Sequence, residues 1–225
     1  MMIRSAGEGL ALRTHGLPPE QITPLSLRRL RERSPVVLPP EPAATVALRM
    51  AYAAGDPDLL RDVVIHDGAV AATQAALHRG ATVVCDVAMV AAGVRSAVER
   101  HGSALVCAQD AAGAALPDRH LSAATRDAAH ASTRTARGLL ALAAQWDGAV
   151  VVIGNAPTAL LALLDALADG APQPAALIAT PCGLVAAEEA KQLLVDTAPL
   201  PYVTVRGTRG GSAVAAAAVN ACALL

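Results

Sequence analysis

The chain has 225 residues with a formal net charge of −1, and 54% of the residues are apolar. This length suffices for one large domain with a well-buried core. Charged residues make up only 16% of the chain and aromatic residues only 1%. A basic, aromatic surface for phosphates and bases is therefore not indicated, which argues against nucleic-acid binding.

The sequence contains no run of 18 or more uncharged apolar residues that would predict a membrane span. Its first residues also lack the charged-then-apolar layout of a secretory signal. We therefore expect a soluble, cytoplasmic protein that does not bind membranes. The six histidines and four cysteines show no metal-ligand spacing, so no metal site is predicted and the cysteines are expected to be buried.

The first predicted elements are helical. A short basic helix is predicted over residues 26–33, and the proline-rich run 34–42 ends it. A second helix fits residues 41–54, with Gly55 as its C-terminal stop. Residues 1–20 are predicted to form an irregular N-terminal lead.

Farther along the chain, short β-rich runs alternate with helical stretches. The predicted strands cover residues 63–65, 81–85, 104–108, 149–153, 175–179 and 202–205. The predicted helices cover residues 68–79, 119–145 with a break near Ser132, 158–168, a stretch through 191–195, and 212–224. Continuous apolar strands separated by helices are typical of a parallel sheet covered on both faces. We predict an α/β fold in one domain, residues 21–225, with a doubly wound, mostly parallel sheet and helices on both faces.

Three predicted strands end in similar loops that each open a helix: IGNAPT (153–158), ATPCG (179–183) and RGTRGGS (206–212). In open parallel sheets, ligands bind beyond the carboxyl ends of the strands. Glycine permits close backbone approach to a ligand, and the N–H groups at a helix start attract anions. Any one such loop is also explained by ordinary turn chemistry. Three on one edge, with Arg206 and Arg209, predict a pocket for an anionic small molecule.

These loops match no nucleotide-binding motif, and the sequence has no nucleophile elbow of the α/β-hydrolase type. His66 is the one histidine kept as a site candidate. It follows the predicted strand 63–65 and lies beside Asp67 and Gly68, from which it is expected to reach a strand-end pocket.

Several segments, taken in this order, resemble precorrin-8X methylmutases from about Ile22 to the C-terminus. They are Arg49-Met50 with Gly55-Asp56, Gly68-Ala69-Val70, Cys85-Asp86-Val87-Ala88-Met89-Val90 with Gly93, Ser132-Thr133-Arg134, Ile153-Gly154-Asn155-Ala156-Pro157-Thr158-Ala159-Leu160, Pro181 to Lys191, and Arg206-Gly207 and Arg209-Gly210-Gly211-Ser212 with Asn220. The IGNAPTAL and RGGS segments are very specific as a pair.

The resemblance implies an isomerase of vitamin B12 biosynthesis. Such an enzyme moves a methyl group between neighbouring carbons of a corrin-type tetrapyrrole, by a sigmatropic rearrangement and without an added cofactor. It further implies a homodimer that binds the macrocycle near the subunit interface. A flat ring bearing many carboxylates suits arginines and backbone donors around a wide, mostly apolar cleft.

The predicted substrate-binding residues are the positions that match the family's site residues, together with Arg206 and Arg209. They comprise Ser26, Arg49, Asp86, Met89, Arg134, Asn155, Thr158, Lys191, Arg206, Arg209 and Ser212. Other interpretations stay open for three of these residues: Asp86 as a helix cap, Met89 as a core residue and Lys191 as a solvated helix residue.

One departure bears on the chemistry. The family carries a histidine, assigned as the proton donor, where this sequence has Tyr52. A phenol, with an ordinary pKa of about 10, is a far weaker acid than an imidazolium, at about 6.5. Three hypotheses follow: a methylmutase whose catalytic proton comes from Tyr52 or His66, a divergent enzyme using Tyr52 on another anionic substrate, or a non-catalytic tetrapyrrole binder.

Overall fold

The computed structural model describes residues 16–225. Its helices are α1 (Pro19–Glu32), α2 (Ala43–Ala54), α3 (Ala69–His78), α4 (Ala88–Arg100), α5 (Ala123–His130), α6 (Arg134–Ala141), α7 (Pro157–Ala168), α8 (Ala187–Thr197) and α9 (Ser212–Cys222). Its strands are β1 (Val63–Ile65), β2 (Val83–Cys85), β3 (Leu105–Cys107), β4 (Val150–Ile153), β5 (Ala176–Ala179) and β6 (Tyr202–Val205). Short 3-10 helices cover Pro57–Arg61 and Ala143–Gln145. The predicted lead lies outside the described residues as far as residue 15, and α1 begins within its remaining part.

The six strands form one sheet in the order β1-β6-β5-β4-β2-β3. Strands β2 to β6 pair in parallel, and β1 pairs antiparallel with β6 at the edge. An antiparallel edge strand on an otherwise parallel sheet is common in doubly wound folds. The predicted α/β fold with a mostly parallel sheet is confirmed.

The four inner strands, β2, β4, β5 and β6, are buried on both faces, as their continuous apolar sequences predict, whereas the edge strands β1 and β3 are half-buried. In β2, Val83 and Cys85 pack into one core, whereas Val84 between them packs into the other. Residues from α2, α3, α4 and α9 complete the first core, and residues from α5, α6, α7 and α8 complete the second. The helices therefore cover both faces of the sheet, as predicted.

The predicted helical stretch 119–145 forms two separate helices, α5 and α6, and each begins at its own N-cap residue. The Ser122 hydroxyl accepts a hydrogen bond from the Thr125 N–H at the start of α5, and Thr133 does the same for Ala136 at the start of α6. Such caps satisfy N–H groups that a helix start leaves free. The break therefore occurs where the sequence analysis located it.

The burial of the cysteines was predicted only in part. Cys85 and Cys222 are buried, but Cys182 is exposed in the loop after β5. The prediction is wrong for Cys182 because a loop at the open edge of a sheet has no neighbouring layer to cover it. In the described part of the chain, no helix is long and apolar enough to cross a membrane.

Candidate functional site

The loops that follow β2, β4, β5 and β6 meet at the carboxyl edge of the parallel strands. Backbone hydrogen bonds join them: Thr180 N–H donates to the Ile153 carbonyl at 2.8 Å, and Gly211 N–H donates to the Thr180 carbonyl at 2.6 Å. The three loops singled out in the sequence therefore lie side by side, as predicted. α9 begins in the same place, at the buried residue Ser212.

The N–H groups of the loop after β4 are occupied by a carboxylate of the chain itself. The Asp86 carboxylate accepts hydrogen bonds from the N–H groups of Gly154, Asn155 and Ala156 at 2.8 to 3.1 Å, and from Val87 at 2.9 Å. The predicted anion-binding N–H groups of this loop are thus already satisfied. Burial raises the pKa of Asp86 above its ordinary value, and the four N–H donors oppose that rise.

Gly154 serves the packing of helices in the protein. A Cβ at this position would lie 2.6 Å from Val90 Cγ2 and 2.8 Å from Ser212 Cα. α4 and α9 therefore approach the end of β4 so closely that no side chain fits there. The close approach to this glycine, which was predicted for a ligand, is made by these two helices.

Arg209 is engaged inside the chain. Its guanidinium pairs with the carboxylates of Asp56 and Asp62 and donates to the Asp58 carbonyl at 3.2 Å. Asp56 follows Gly55, the left-handed residue that ends α2, and it also caps the 3-10 helix through the Asp58 N–H. Arg209 therefore ties the end of α2 to the carboxyl edge of the sheet, and its charge is balanced by its own acidic partners.

Lys191 is fully buried, contrary to the interpretation of a solvated helix residue. Its ammonium group donates to the backbone carbonyl oxygen of Arg209 at 2.6 Å. Burial lowers the pKa of Lys191 to about 8. Through this hydrogen bond, Lys191 stabilises the loop between β6 and α9.

Tyr52 lies in the last turn of α2, and 39% of its surface is exposed. It lines a cavity of about 320 Å³ between α1 and the end of α2. The remaining lining residues are Ser26, Arg29, Leu30, Arg33, Ala51, Gly55 and Pro57. The Ser26 hydroxyl donates to the Ile22 carbonyl at 2.7 Å within α1. Two of the predicted site residues, Tyr52 and Ser26, are thus brought together.

Other predicted residues have few or no partners inside the chain. The Arg134 guanidinium, at the start of α6, has a weak contact with the Gln109 carbonyl at 3.4 Å. The guanidinium groups of Arg49 and Arg206 have no hydrogen bond or ion pair with any residue from 16 to 225. Asn155 is exposed directly after β4. These side chains are available to a ligand.

A second group of predicted residues lies at the starts of α4 and α7. Met89 is 72% exposed, so the interpretation of a core residue is wrong. The Thr158 hydroxyl lies 2.7 Å from the Thr133 hydroxyl. Thr158 also borders a cavity of about 180 Å³ between α5, α6 and α7, together with Ser132 and Asp165.

The placement predicted for His66 is wrong. Because β1 runs antiparallel to β6, the residue after β1 lies at the amino edge of the parallel strands. His66 N–H donates to the Tyr202 carbonyl at 2.9 Å, and the two rings lie 5.3 Å apart. Tyr202 is the first residue of β6. Within one chain, His66 is therefore at the opposite edge of the sheet from the loops that follow β2, β4, β5 and β6.

The sequence did not lead us to predict Arg29 and Arg33 of α1 as site residues, although both line the cavity beside Tyr52. A sequence signal for them exists, since residues 26, 29, 30 and 33 have the spacing of one helix face. Asp56 and Asp62, the partners of Arg209, were not predicted either. Those pairs join residues 153 and 147 positions apart, which no local pattern indicates.

Comparison with known proteins identifies the family. Residues 21–225 match the family model described as precorrin-8X methylmutase. The chain belongs to the precorrin-8X methylmutase family. Members of this family are isomerases of cobalamin biosynthesis, so the family, the enzyme class and the pathway expected from the sequence are confirmed.

Individual methylmutases agree with this assignment over most of their length. The chain is 42% identical to the precorrin-8X methylmutase of Pseudomonas aeruginosa over 179 residues, which are 79% of this chain and 82% of that protein. It is 39% identical to the cobalt-precorrin-8 methylmutase of Synechocystis over 171 residues, 76% of this chain and 70% of that protein. The crystal structure of precorrin-8X methylmutase from Thermus thermophilus superposes with a TM-score of 0.77 at 30% identity, covering 92% of this chain and 95% of that one.

Proposed function

We propose that this methylmutase moves a methyl group between neighbouring carbons of a corrin precursor ring, with Tyr52 as the proton donor. The observation that carries the proposal is the position of Tyr52, partly exposed in a cavity at the end of α2. His66, the other candidate acid, lies beside Tyr202 at the opposite edge of the sheet. Within a single chain, Tyr52 is thus the better situated of the two.

The proposed chemistry requires a group that both gives and recovers a proton. An isomerase leaves the composition of its substrate unchanged, so a proton donated to start the migration must return once the methyl group has moved. The Tyr52 hydroxyl can donate this proton and the resulting phenolate can accept it again. Because Tyr52 is partly exposed, its side chain is accessible to a bound ring.

The predicted substrate-binding residues divide into two roles in this proposal. Arg49, Arg134 and Arg206 hold ring carboxylates, because they have few or no internal partners and guanidinium groups bind carboxylates in bidentate fashion. Asp86, Lys191 and Arg209 shape the loops through contacts inside the chain. Asn155, Thr158 and Ser212 complete the edge as polar groups near the ring.

The ring is proposed to lie across apolar side chains and under a second copy of the chain. Met89, Leu184 and Val185 follow β2 and β5, and they are 72%, 90% and 83% exposed. The cavity beside Tyr52, at about 320 Å³, is at the low end of small-molecule sites, so it suits a part of the macrocycle. A second copy of the chain, in a homodimer, covers the rest of the ring. The cytoplasmic location of the protein stays a prediction.

Conversion of precorrin-8X, followed by absorption spectroscopy, tests the proposal. The wild-type protein is expected to form the methyl-shifted product. Tyr52→Phe should abolish turnover while the product still binds, since the ring of the side chain remains. His66→Ala is the matched control and should keep the wild-type rate. An unchanged rate in Tyr52→Phe would remove Tyr52 from the chemistry, and loss of turnover only in His66→Ala would assign the acid role to His66.

A further inference from the structure

One face of α1 forms a wall of the cavity that holds Tyr52. Ser26, Arg29, Leu30 and Arg33 follow the i, i+3, i+4, i+7 spacing that places side chains on one side of a helix. All four line the cavity, opposite Tyr52 at the end of α2. Two arginines therefore border the same small cavity as Tyr52.

Neither guanidinium is neutralised by a partner within residues 16–225. Arg29 and Arg33 are exposed, and their side chains form no ion pair or hydrogen bond with that part of the chain. Glu32, also on α1, does not line the cavity and pairs with neither of them.

The carboxylates on neighbouring segments form ion pairs with other arginines. Glu41 pairs with Arg31 at 2.6 Å. Asp56 and Asp62 pair with Arg209. Asp58, in turn, pairs with Arg61 at 3.3 Å. The positive charge at the cavity is therefore left without a balancing acidic group from these segments.

We propose that Arg29 and Arg33 form a carboxylate-binding subsite beside Tyr52, which takes one short acid arm of the macrocycle. This inference rests on the proposed function and specifies which edge of the substrate faces α1. Guanidinium groups bind carboxylates through two parallel hydrogen bonds, which fixes orientation as well as position. A cavity of about 320 Å³ accommodates such an arm. Binding the arm here holds the adjoining ring carbon next to the Tyr52 hydroxyl.

The test compares the double variant Arg29→Gln/Arg33→Gln with the control Arg28→Gln. Arg28 is an exposed arginine on the same helix that does not line the cavity. The dissociation constant of the methyl-shifted product is measured by absorption titration, and KM is measured with precorrin-8X. Loss of the charge-assisted hydrogen bonds should raise both constants about tenfold or more in the double variant. The control should stay within about twofold of wild type, because Arg28 does not line the cavity and salt screens exposed charges.

A product whose carboxylates have been converted to methyl esters provides a second measurement. It should bind the wild type and the double variant with equal affinity, since it has no charge for the two arginines. If the double variant does not fold, the two single variants carry the same test, each with a smaller loss of affinity.

The outcomes separate this inference from the proposed function. Equal affinity of the double variant and the wild type for the free-acid product overturns the subsite, while turnover by the wild type leaves the proposed function standing. A wild type that binds the product but does not convert precorrin-8X contradicts the proposed function, and the variant's affinity still decides the subsite. A wild type that does not bind the product contradicts both.

Discussion

The ammonium group of Lys191 donates a hydrogen bond to the backbone carbonyl oxygen of Arg209, with 2.6 Å between the two atoms. Lys191 is fully buried on α8, and Arg209 lies in the loop between β6 and α9. The Arg209 guanidinium in turn pairs with Asp56 and Asp62. A buried lysine thus fixes the loop that holds the end of α2, the helix that carries Tyr52.

The buried lysine predicts a specific pH dependence of stability. Burial lowers the pKa of Lys191 from 10.5 to about 8. Between these two pH values the unfolded chain binds the proton that the folded chain has lost, so the folded state gains stability as pH rises. The free energy of unfolding of the wild type minus that of Lys191→Met should increase by about 2–3 kcal/mol from about pH 7 to about pH 10.

Urea unfolding at several pH values measures this difference. Lys191 is the only lysine in the sequence, and the subtraction removes the titration of groups that do not interact with residue 191. A difference that stays constant across the range would show that the lysine titrates alike in the folded and unfolded chains.

Arg209→Lys should weaken the attachment of α2 to the sheet edge. A lysine can hold one carboxylate as a point charge, but it lacks the fork that reaches Asp56 and Asp62 together. Because these groups are partly exposed, we expect a loss of about 1–2 kcal/mol in the free energy of unfolding. A double-mutant cycle of Arg209→Lys with Asp62→Asn isolates the pair. Arg95→Lys, at an exposed ion pair with Glu99, is the control and should cost little; equal losses at both arginines would contradict the assignment.

Asp86→Asn should be strongly destabilising although it changes a single atom. The carboxylate oxygens accept four backbone hydrogen bonds, and an amide group turns N–H donors toward some of those N–H groups. Unsatisfied buried donors of this kind cost about 3 kcal/mol in total. Asp127→Asn, at an exposed aspartate of α5, is the matched control for urea unfolding. Similar stabilities for the two variants would show that the loop after β4 does not depend on the carboxylate.

The strands of the sheet could be predicted because each strand has a local sequence signal, a short apolar run. Val150–Ile153 and Tyr202–Val205 are short, continuous apolar runs bounded by turn residues, and they form β4 and β6 within a residue of the predicted limits. α4 (Ala88–Arg100) was not predicted, because its N-cap residue is Val87, whose side chain cannot cap a helix. The direction of β1 could not be predicted either, because a three-residue strand with the sequence VVI reads alike in a parallel and an antiparallel pair.

The site was predicted less completely because its decisive contacts are between distant segments. The sequence indicates loops that bind anions, and the anion at one loop is Asp86, about seventy residues earlier in the chain. The positive charge of Arg209 is likewise balanced by Asp56 across the fold. Because β1 is antiparallel to β6, His66 lies at the amino edge of the parallel strands and not at their carboxyl edge. Strand direction and long-range pairing decided these outcomes, and neither is encoded in residue spacing.

Tyr52→His places at residue 52 the histidine that the resemblance to the family implies as proton donor, and it should change the pH profile of turnover. An imidazolium has an ordinary pKa of about 6.5, so the variant's rate should decline as pH rises through that value. The wild-type protein has no imidazole at residue 52, so its rate should not show that decline. The measurement is kcat/KM for precorrin-8X from about pH 5 to pH 9. Coincident profiles of the two proteins would show that residue 52 does not supply the proton.

Gly154→Ala should show that the glycine after β4 is required for packing. The added methyl group would lie 2.6 Å from Val90 Cγ2 and 2.8 Å from Ser212 Cα, so α4 and α9 must move apart. Overpacking of this kind costs about 1–3 kcal/mol in the free energy of unfolding. Gly113→Ala is the control, because a Cβ there meets nothing within 4 Å. If Gly154→Ala keeps wild-type stability but loses affinity for the product, the close approach at this glycine is made by the ligand, and the interpretation from helix packing is wrong.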